Sequence, residues 1–491
     1  MTSGEPAATA LVLLVVSALV LACALASRFA ARVGVPLVLL FLALGMLAGT
    51  DGLGGIPFED HALSFRIATV ALVLILFDGG LNTSVTLLKR YAGPSLLLAT
   101  IGVIVTAGLV GVAARVAGFP WKQALLLGSI VSSTDAAAVF SVLRSGGVAT
   151  RERVGATLEL ESGLNDPMAV ILTTVFIDAL GTGAMPQASA AGLIVVQLAV
   201  GALVGLGVFL VGKRLSVNQR LPTPGLYPIV TLSLAFAAFG LATLGQGSGF
   251  LAVYVTAIGI GDLRLPYRAP LLRVHDFLAW SGQVALFVVL GLLASPSRVL
   301  EVAPQGLGIA AFLVFVARPL TVFAILLPFR YPVREMAYIA WGGLKGAVPI
   351  VLGVMPVLAG VDGASRILDV VLFVVIVSAV LQGSTMRWLA DRLRVAKRGR
   401  RPLPATVEIV STRVMTSDLL TFEVDAASAV CGATLADIPF PPRSSAMLVV
   451  RGDDLIAPRG DTSLEEGDQV YVFCAREDRP VIQLLFGRAV D

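Results

Sequence analysis

Two carboxylates, a hydroxyl and a carboxamide fall within seven residues at Glu161-Ser162-Gly163-Leu164-Asn165-Asp166-Pro167. Oxygen donors of these types bind hard monovalent cations, and a carboxylate among them can hold a proton instead. The stretch lies in an apolar run long enough to cross a bilayer, where an ionised group costs at least about 2.5–3.5 kcal/mol. A charge placed there handles an ion or a proton, or it is paired with a base as internal glue. Helical spacing divides the group. Ser162 and Asp166 are four apart and share a face, with Glu159 one turn back on the same side; Glu161 and Asn165 form a neighbouring face. The first face suits a small cation, and Glu161 turns to a base on another helix. Pro167 lacks an N–H, so the carbonyl of Gly163 loses its helical partner and becomes either a further ligand or the site of a kink.

Seven ionisable residues lie within apolar spans away from their ends: Asp78, Asp135, Glu159, Glu161, Asp166, Arg318 and Lys345. Five acids against two bases cannot all be neutralised by pairing, so some must be protonated, cation-bound or wet. That surplus favours cation chemistry over structural pairing for the set. Two of the spans are interrupted. Ser132-Ser133-Thr134-Asp135 is rich in side chains that compete with helical hydrogen bonds. Gly342-Gly343-Leu344-Lys345-Gly346-Ala347-Val348-Pro349 sets three glycines and a proline around one lysine. Unwound backbone at membrane depth survives inside protein or along a wet cavity.

The elements that must position these groups follow from composition. The 491 residues are 57% hydrophobic and 14% charged, whereas soluble proteins carry roughly 25% charged residues. Mean hydropathy is +0.90. Apolar windows at 8–27, 35–50, 63–80, 93–114, 121–143, 153–180, 190–212, 226–245, 248–262, 275–295, 305–327, 335–359 and 366–388 predict about 13 transmembrane helices. Alternate loops hold 15 basic residues before the C-terminal tail, against four in the opposite loops. This places the N-terminus outside and the C-terminus in the cytoplasm. With no basic residue before the first span and two after it, a cleaved signal peptide is not expected. The interrupted spans are the fifth and twelfth, each fifth in a six-span set. An odd offset of seven inverts one set relative to the other, the pattern of inverted-repeat transporters with broken helices at the midplane.

Residues 1–390 form the membrane domain and 391–404 a basic linker. Residues 405–491, with seven basic and fourteen acidic residues, read as a soluble α+β domain. Strands are predicted at 406–412, 419–425, 445–451 and 468–474, with helices near 433–438 and 478–486. Cys23, Cys431 and Cys474 make no metal or disulfide spacing. His61 and His275 fall at loops or span ends, as boundary residues.

These motifs resemble the NhaP-type monovalent cation/proton antiporters over nearly the whole chain. The resemblance is carried by Ser132-Ser-Thr-Asp-Ala-Ala-Ala-Val-Phe140, Glu161-Ser-Gly-Leu-Asn-Asp166 and Gly343-Leu-Lys-Gly-Ala-Val-Pro349, supported by Phe77-Asp-Gly-Gly-Leu81 and Ala317-Arg-Pro319. The tail, with Arg451-Gly-Asp and Glu466-Gly-Asp-Gln-Val-Tyr-Val472 among its motifs, is similar to the TrkA-C (RCK C-terminal) regulatory domain. The combination is similar to the potassium/proton antiporters of this type. The resemblance implies a bacterial plasma-membrane antiporter and a homodimer whose six-helix transport domain moves against a dimer domain. It implies that Asp166 binds cation and proton alternately, with Ser162 and Thr134 as co-ligands and Asp135 and Asp78 close by. It further implies that Asn165 before Asp166 marks electroneutral exchange and that Glu161 pairs with Arg318. Lys345, expected in the same ion-pair set, stands where many relatives carry arginine.

The expected activity is exchange of a monovalent cation, K+ first and Na+ as the alternative, for H+. No enzymatic chemistry, cofactor or nucleic acid is implied; membrane lipid and a small regulatory ligand at the tail are the further partners. A TrkA-C-regulated channel is the rival of another class, but no Thr-Val-Gly-Tyr-Gly filter is present. A sensor that signals through its tail without transporting is the other rival.

Overall fold

The computed structural model describes residues 4–33, 36–145, 148–183, 188–218, 221–263, 267–398, 417–426, 428–452, 454–487 and 489. It divides into two compact units, Met1–Leu263 with Leu272–Gly399, and Arg264–Leu271 with Arg400–Asp491.

The first unit is helical. Its elements are α1 (Gly4–Val33), α2 (Leu37–Ala48), α3 (His61–Asn82), α4 (Val85–Leu97), α5 (Val103–Val116), α6 (Trp121–Ile130), α7 (Ala136–Ser145), α8 (Glu152–Thr182), α9 (Ala188–Asn218), α10 (Leu226–Leu244), α11 (Gly249–Gly261), α12 (Arg268–Leu293), α13 (Pro296–Glu301), α14 (Ala303–Phe312), α15 (Arg318–Leu326), α16 (Val333–Trp341), α17 (Ala347–Leu358) and α18 (Ala364–Arg392). Two short strands, β1 (Val148–Thr150) and β2 (Ala396–Arg398), pair antiparallel. Among the described residues, eight helices are long and apolar enough to cross a membrane; Leu37–Ala48, Gly249–Gly261 and Ala347–Leu358 are shorter apolar helices.

Local chemistry sets the helix ends. Asp60 caps α3 by accepting from Leu63 N at 2.8 Å, and Ser248 caps α11 through Leu251 N. At the far end of α8, Gly183 adopts φ +75°, and Lys122 Nζ donates to the carbonyls of Ala179 and Gly183. Pro167 lies in the interior of α8, yet the helix is continuous from Glu152 to Thr182. α4 and α5 form one span joined by a π-helical turn, Leu98–Gly102, and a second π-turn, Leu313–Ala317, joins α14 to α15. The fourth and eleventh windows are seven apart, like the two interrupted ones. Thr106 Oγ1 on α5 donates to Thr321 Oγ1 on α15 at 3.3 Å, so the two matched spans touch.

In the second unit β3 (Ser417–Glu423), β4 (Ser445–Arg451), β5 (Asp454–Ile456) and β6 (Gln469–Ala475) form an antiparallel sheet in the order β3-β6-β4-β5, followed by α19 (Arg479–Phe486). Phe422, Val449, Val470, Val472, Ile482 and Phe486 are buried together. Arg451 grips the fully buried Asp468 with two 2.8 Å hydrogen bonds and also bonds Glu465. The strand expected at 406–412 lies outside the described residues. The helix expected near 433–438 does not form. Leu435 and Ala436 donate their N–H groups to Thr462 and Gly460 across a loop pairing instead of to carbonyls four residues back.

Candidate cation and proton site

The two interruptions meet. α6 stops at Ile130 and α7 starts at Ala136; α16 stops at Trp341 and α17 starts at Ala347. Asp135 N donates to Leu344 O at 2.8 Å, bonding one unwound segment to the other. The buried Lys345 donates from Nζ to the carbonyls of Ser132 at 3.2 Å and Ser133 at 2.8 Å. From α18, Ser378 Oγ accepts the Lys345 N–H at 3.1 Å and donates to Gln382 Oε1, and Gln382 Nε2 donates to Trp341 O at 2.7 Å. Groups that the breaks would leave bare are thereby satisfied, as a low-dielectric interior demands. Close approach requires glycine at two places. A Cβ on Gly346 would overlap the Asp135 carboxylate, and one on Gly343 would lie 2.5 Å from Arg318 Nε.

α8 lies beside this crossing and presents two faces. Glu159, Ser162, Gly163 and Asp166 line a cavity of about 790 Å3. Glu161 and Asn165 point elsewhere. Asp166 is 6% exposed, and its Oδ1 is buried with no hydrogen-bond partner among the described residues. Ser162 Oγ donates to Thr134 O at 2.9 Å and accepts from Ala136 N at 3.0 Å, so it spans the first interruption and keeps one lone pair free. Asn165 Nδ2 donates to Thr134 Oγ1 at 2.6 Å, while its Oδ1 is buried without a partner among the described residues. Asp135 lines the cavity but also caps α7, its Oδ1 accepting from Ala138 N at 3.0 Å.

Glu161 and Arg318 form a two-pronged ion pair at 2.5 and 2.8 Å, with residue exposures of 1% and 3%. Lys345 departs from the ion-pair role expected of it. Its ammonium donates instead to the carbonyls of the unwound 132–133 backbone. Asp78 lines the cavity from α3, with Asn82 Nδ2 3.3 Å from its Oδ1. Glu159 Oε1 accepts from Thr83 Oγ1 at 3.1 Å, and Thr83 lies 3.3 Å from the Tyr254 hydroxyl.

Several contributors escaped the sequence reading. The Tyr254 ring lies against Gly163, where any Cβ would overlap it, and Thr83, Asp276 and Gln283 complete the cavity wall. Glu335 and Asp369 are buried acids at span beginnings, held by Arg151 at 3.3 Å and by Arg298 at 3.6 Å. His275 is not a boundary residue. It is buried in α12, with Nε2 2.7 Å from Thr231 Oγ1 and its ring 5.0 Å from that of Phe77. A polar partner on α10 allows it to sit inside, and no local spacing signals that partner.

Residues 15–392 match the family described as sodium/hydrogen exchanger, transmembrane, and residues 419–487 match the TrkA-C domain. The chain is 38% identical to the K(+)/H(+) antiporter NhaP of Alkalimonas amylolytica, over 98% of this chain and 84% of that protein. It is 38% identical to the K(+)/H(+) antiporter NhaP2 of Shewanella oneidensis, over 95% and 82%. The solved sodium proton antiporter MjNhaP1 of Methanocaldococcus jannaschii superposes with a TM-score of 0.64 at 26% identity, over 78% of this chain and 98% of that one.

Proposed function

The chain belongs to the sodium/hydrogen exchanger family, and from that premise we propose that it is a secondary antiporter exchanging K+ for H+ one for one. The observation that carries the site assignment is Asp166 Oδ1: a carboxylate oxygen buried without a partner among the described residues, on a residue that lines the cavity, beside two crossed helix breaks. A proton or a cation supplies what that oxygen lacks, and each excludes the other. With either one bound the Asp166 carboxylate is neutralised; empty, it carries a charge costing at least about 2.5–3.5 kcal/mol at the membrane centre. Reorientation without cargo is therefore disfavoured, which couples the two fluxes. Asn165 beside Asp166 adds no second titrating group, in keeping with one charge each way. Thr134 and the free lone pair of Ser162 are the nearest co-ligands, and Asp78, Asp135 and Glu159 keep the approach attractive to cations. The two relatives of highest identity described above, both named K(+)/H(+) antiporters, support K+ over Na+.

Basic residues on alternate loops support an external N-terminus and a cytoplasmic C-terminal domain. That domain serves as a regulatory module for a small ligand, and the chain works as a homodimer in a bacterial plasma membrane.

Proteoliposomes holding a pH-sensitive dye test the reading. Added K+ should drive proton movement more strongly than Na+, Li+ or Rb+, and Asp166→Asn should abolish it. Exchange retained by Asp166→Asn would remove Asp166 from the mechanism, and a response to Na+ alone would favour sodium exchange. Flux that follows voltage without protons would indicate a channel, and ligand binding at the tail without flux a sensor.

A further inference from the structure

α7, capped by Asp135, and α8, which carries Asp166, are joined through β1. The partner of β1 is β2, the segment by which the chain leaves α18 toward the C-terminal domain: Val148 faces Arg398, Ala149 faces Lys397, and Thr150 faces Ala396. The pairing continues past the strands, as Arg151 N donates to Val395 O at 3.1 Å. Val395 is itself anchored. It is buried, and its N–H reaches back to Ala390 O at 3.0 Å, closing the end of α18 around Arg394 at φ +57°. That backbone region is uncommon for a residue with a side chain, so the direction of exit is specified and not left to chance.

The same corner ties the site elements together. Arg387 on α18 donates from Nε to Val142 O on α7 at 2.9 Å, and Arg151 bonds Glu335 at the start of α16 at 3.3 Å. Val148 and Thr150 are part of the cavity wall. A chain serving as a passive tether would need no pairing here. This one is hydrogen-bonded to the loop that joins the first helix break to the helix of Asp166.

We infer that the β1–β2 pair is the route by which the C-terminal domain regulates exchange: a change in that domain draws β2 away from β1, and opening of the pair frees the start of α8 and the wall of the cavity to move. The inference rests on the antiport reading given above. A ladder of three residue pairs is short enough to open and re-form locally, and segments of low local stability are the ones that switch.

The experiment uses the full chain in proteoliposomes, with Cys431→Ser to remove the half-buried thiol; Cys23 and Cys474 are buried. A short Gly-Ser insert between Gly399 and Arg400 slackens the connection without removing the domain. Ala149→Cys with Lys397→Cys places cysteines at directly opposed register positions, where antiparallel Cα separations of about 4.5–5.5 Å suit a disulfide. In reduced protein the insert should change the initial rate of K+-driven proton movement by at least about fivefold, the lower end of ordinary coupling between sites. After oxidation the same insert should leave the rate unchanged, while exchange itself continues and reduction restores the response. An insert without effect in the reduced chain, or an equal effect in both states, would overturn the route. Absence of exchange in the unmodified chain would instead overturn the antiport reading, and it is seen before any variant is compared.

Discussion

Glu161 and Asp166 are five positions apart on one helix and have opposite surroundings. Glu161 has both oxygens engaged by Arg318, whereas Asp166 has a buried oxygen with no partner among the described residues. The division between faces was legible in the spacing, because helical geometry is local. Two assignments were not legible: Asp135 as the cap of α7, and Ser162 as a bridge across unwound backbone. Both depend on where a distant carbonyl or amide comes to rest. If Glu161 is structural, Glu161→Gln leaves Arg318 buried beside a neutral amide, and loss of one member of a buried pair costs about 3–5 kcal/mol. The melting temperature in detergent should fall clearly, and Glu161→Gln combined with Arg318→Met should recover part of the loss. An unchanged melting temperature for the single variant would argue against that role.

Among the elements, the two broken helices were readable from composition because glycine, serine and proline clusters oppose helix within an apolar span. The matched π-turns at Leu98–Gly102 and Leu313–Ala317 were not. Their residues form no cluster of helix breakers, and a π-turn differs from an α-turn by one hydrogen-bond register. The missed loop at 433–438 has the same origin, since Thr462 and Gly460 compete successfully for N–H groups that a helix would have used. Gly346 tests the crossing as an element. Gly346→Ala must push the unwound segment off Asp135. In precisely arranged sites a displacement of about 1 Å can reduce rates about a hundredfold. Exchange should fall by that order while the protein still elutes as folded material on gel filtration; exchange at the native rate would show that the crossing tolerates slack.

For the molecule as a whole, the sequence revealed the membrane class and the soluble-protein charge density of the tail, because these are sums over many residues. It could not reveal that the strand leaving α18 pairs with the loop before α8, since three-residue strands carry no periodicity. The orientation inferred from basic loops has a direct check. Leu53 is 95% exposed between α2 and α3, and Val333 is 65% exposed at the start of α16. In intact cells Leu53→Cys should react with an impermeant maleimide, while Val333→Cys should react only after the membrane is opened. The reverse pattern would invert the topology.

Lys345 gives the site a resident ion of its own. A free cation among unwound carbonyls would gather those oxygens as ligands, but the ammonium already occupies the two at Ser132 and Ser133. Under the proposed mechanism, an ion at Asp166 finds those two backbone oxygens already engaged, so water would complete part of its shell and discrimination between ions would rest on how much water each surrenders. Lys345→Arg offers the same carbonyls a broader, planar fork. The relative rates for K+ and Na+ should then shift even where the total rate does not.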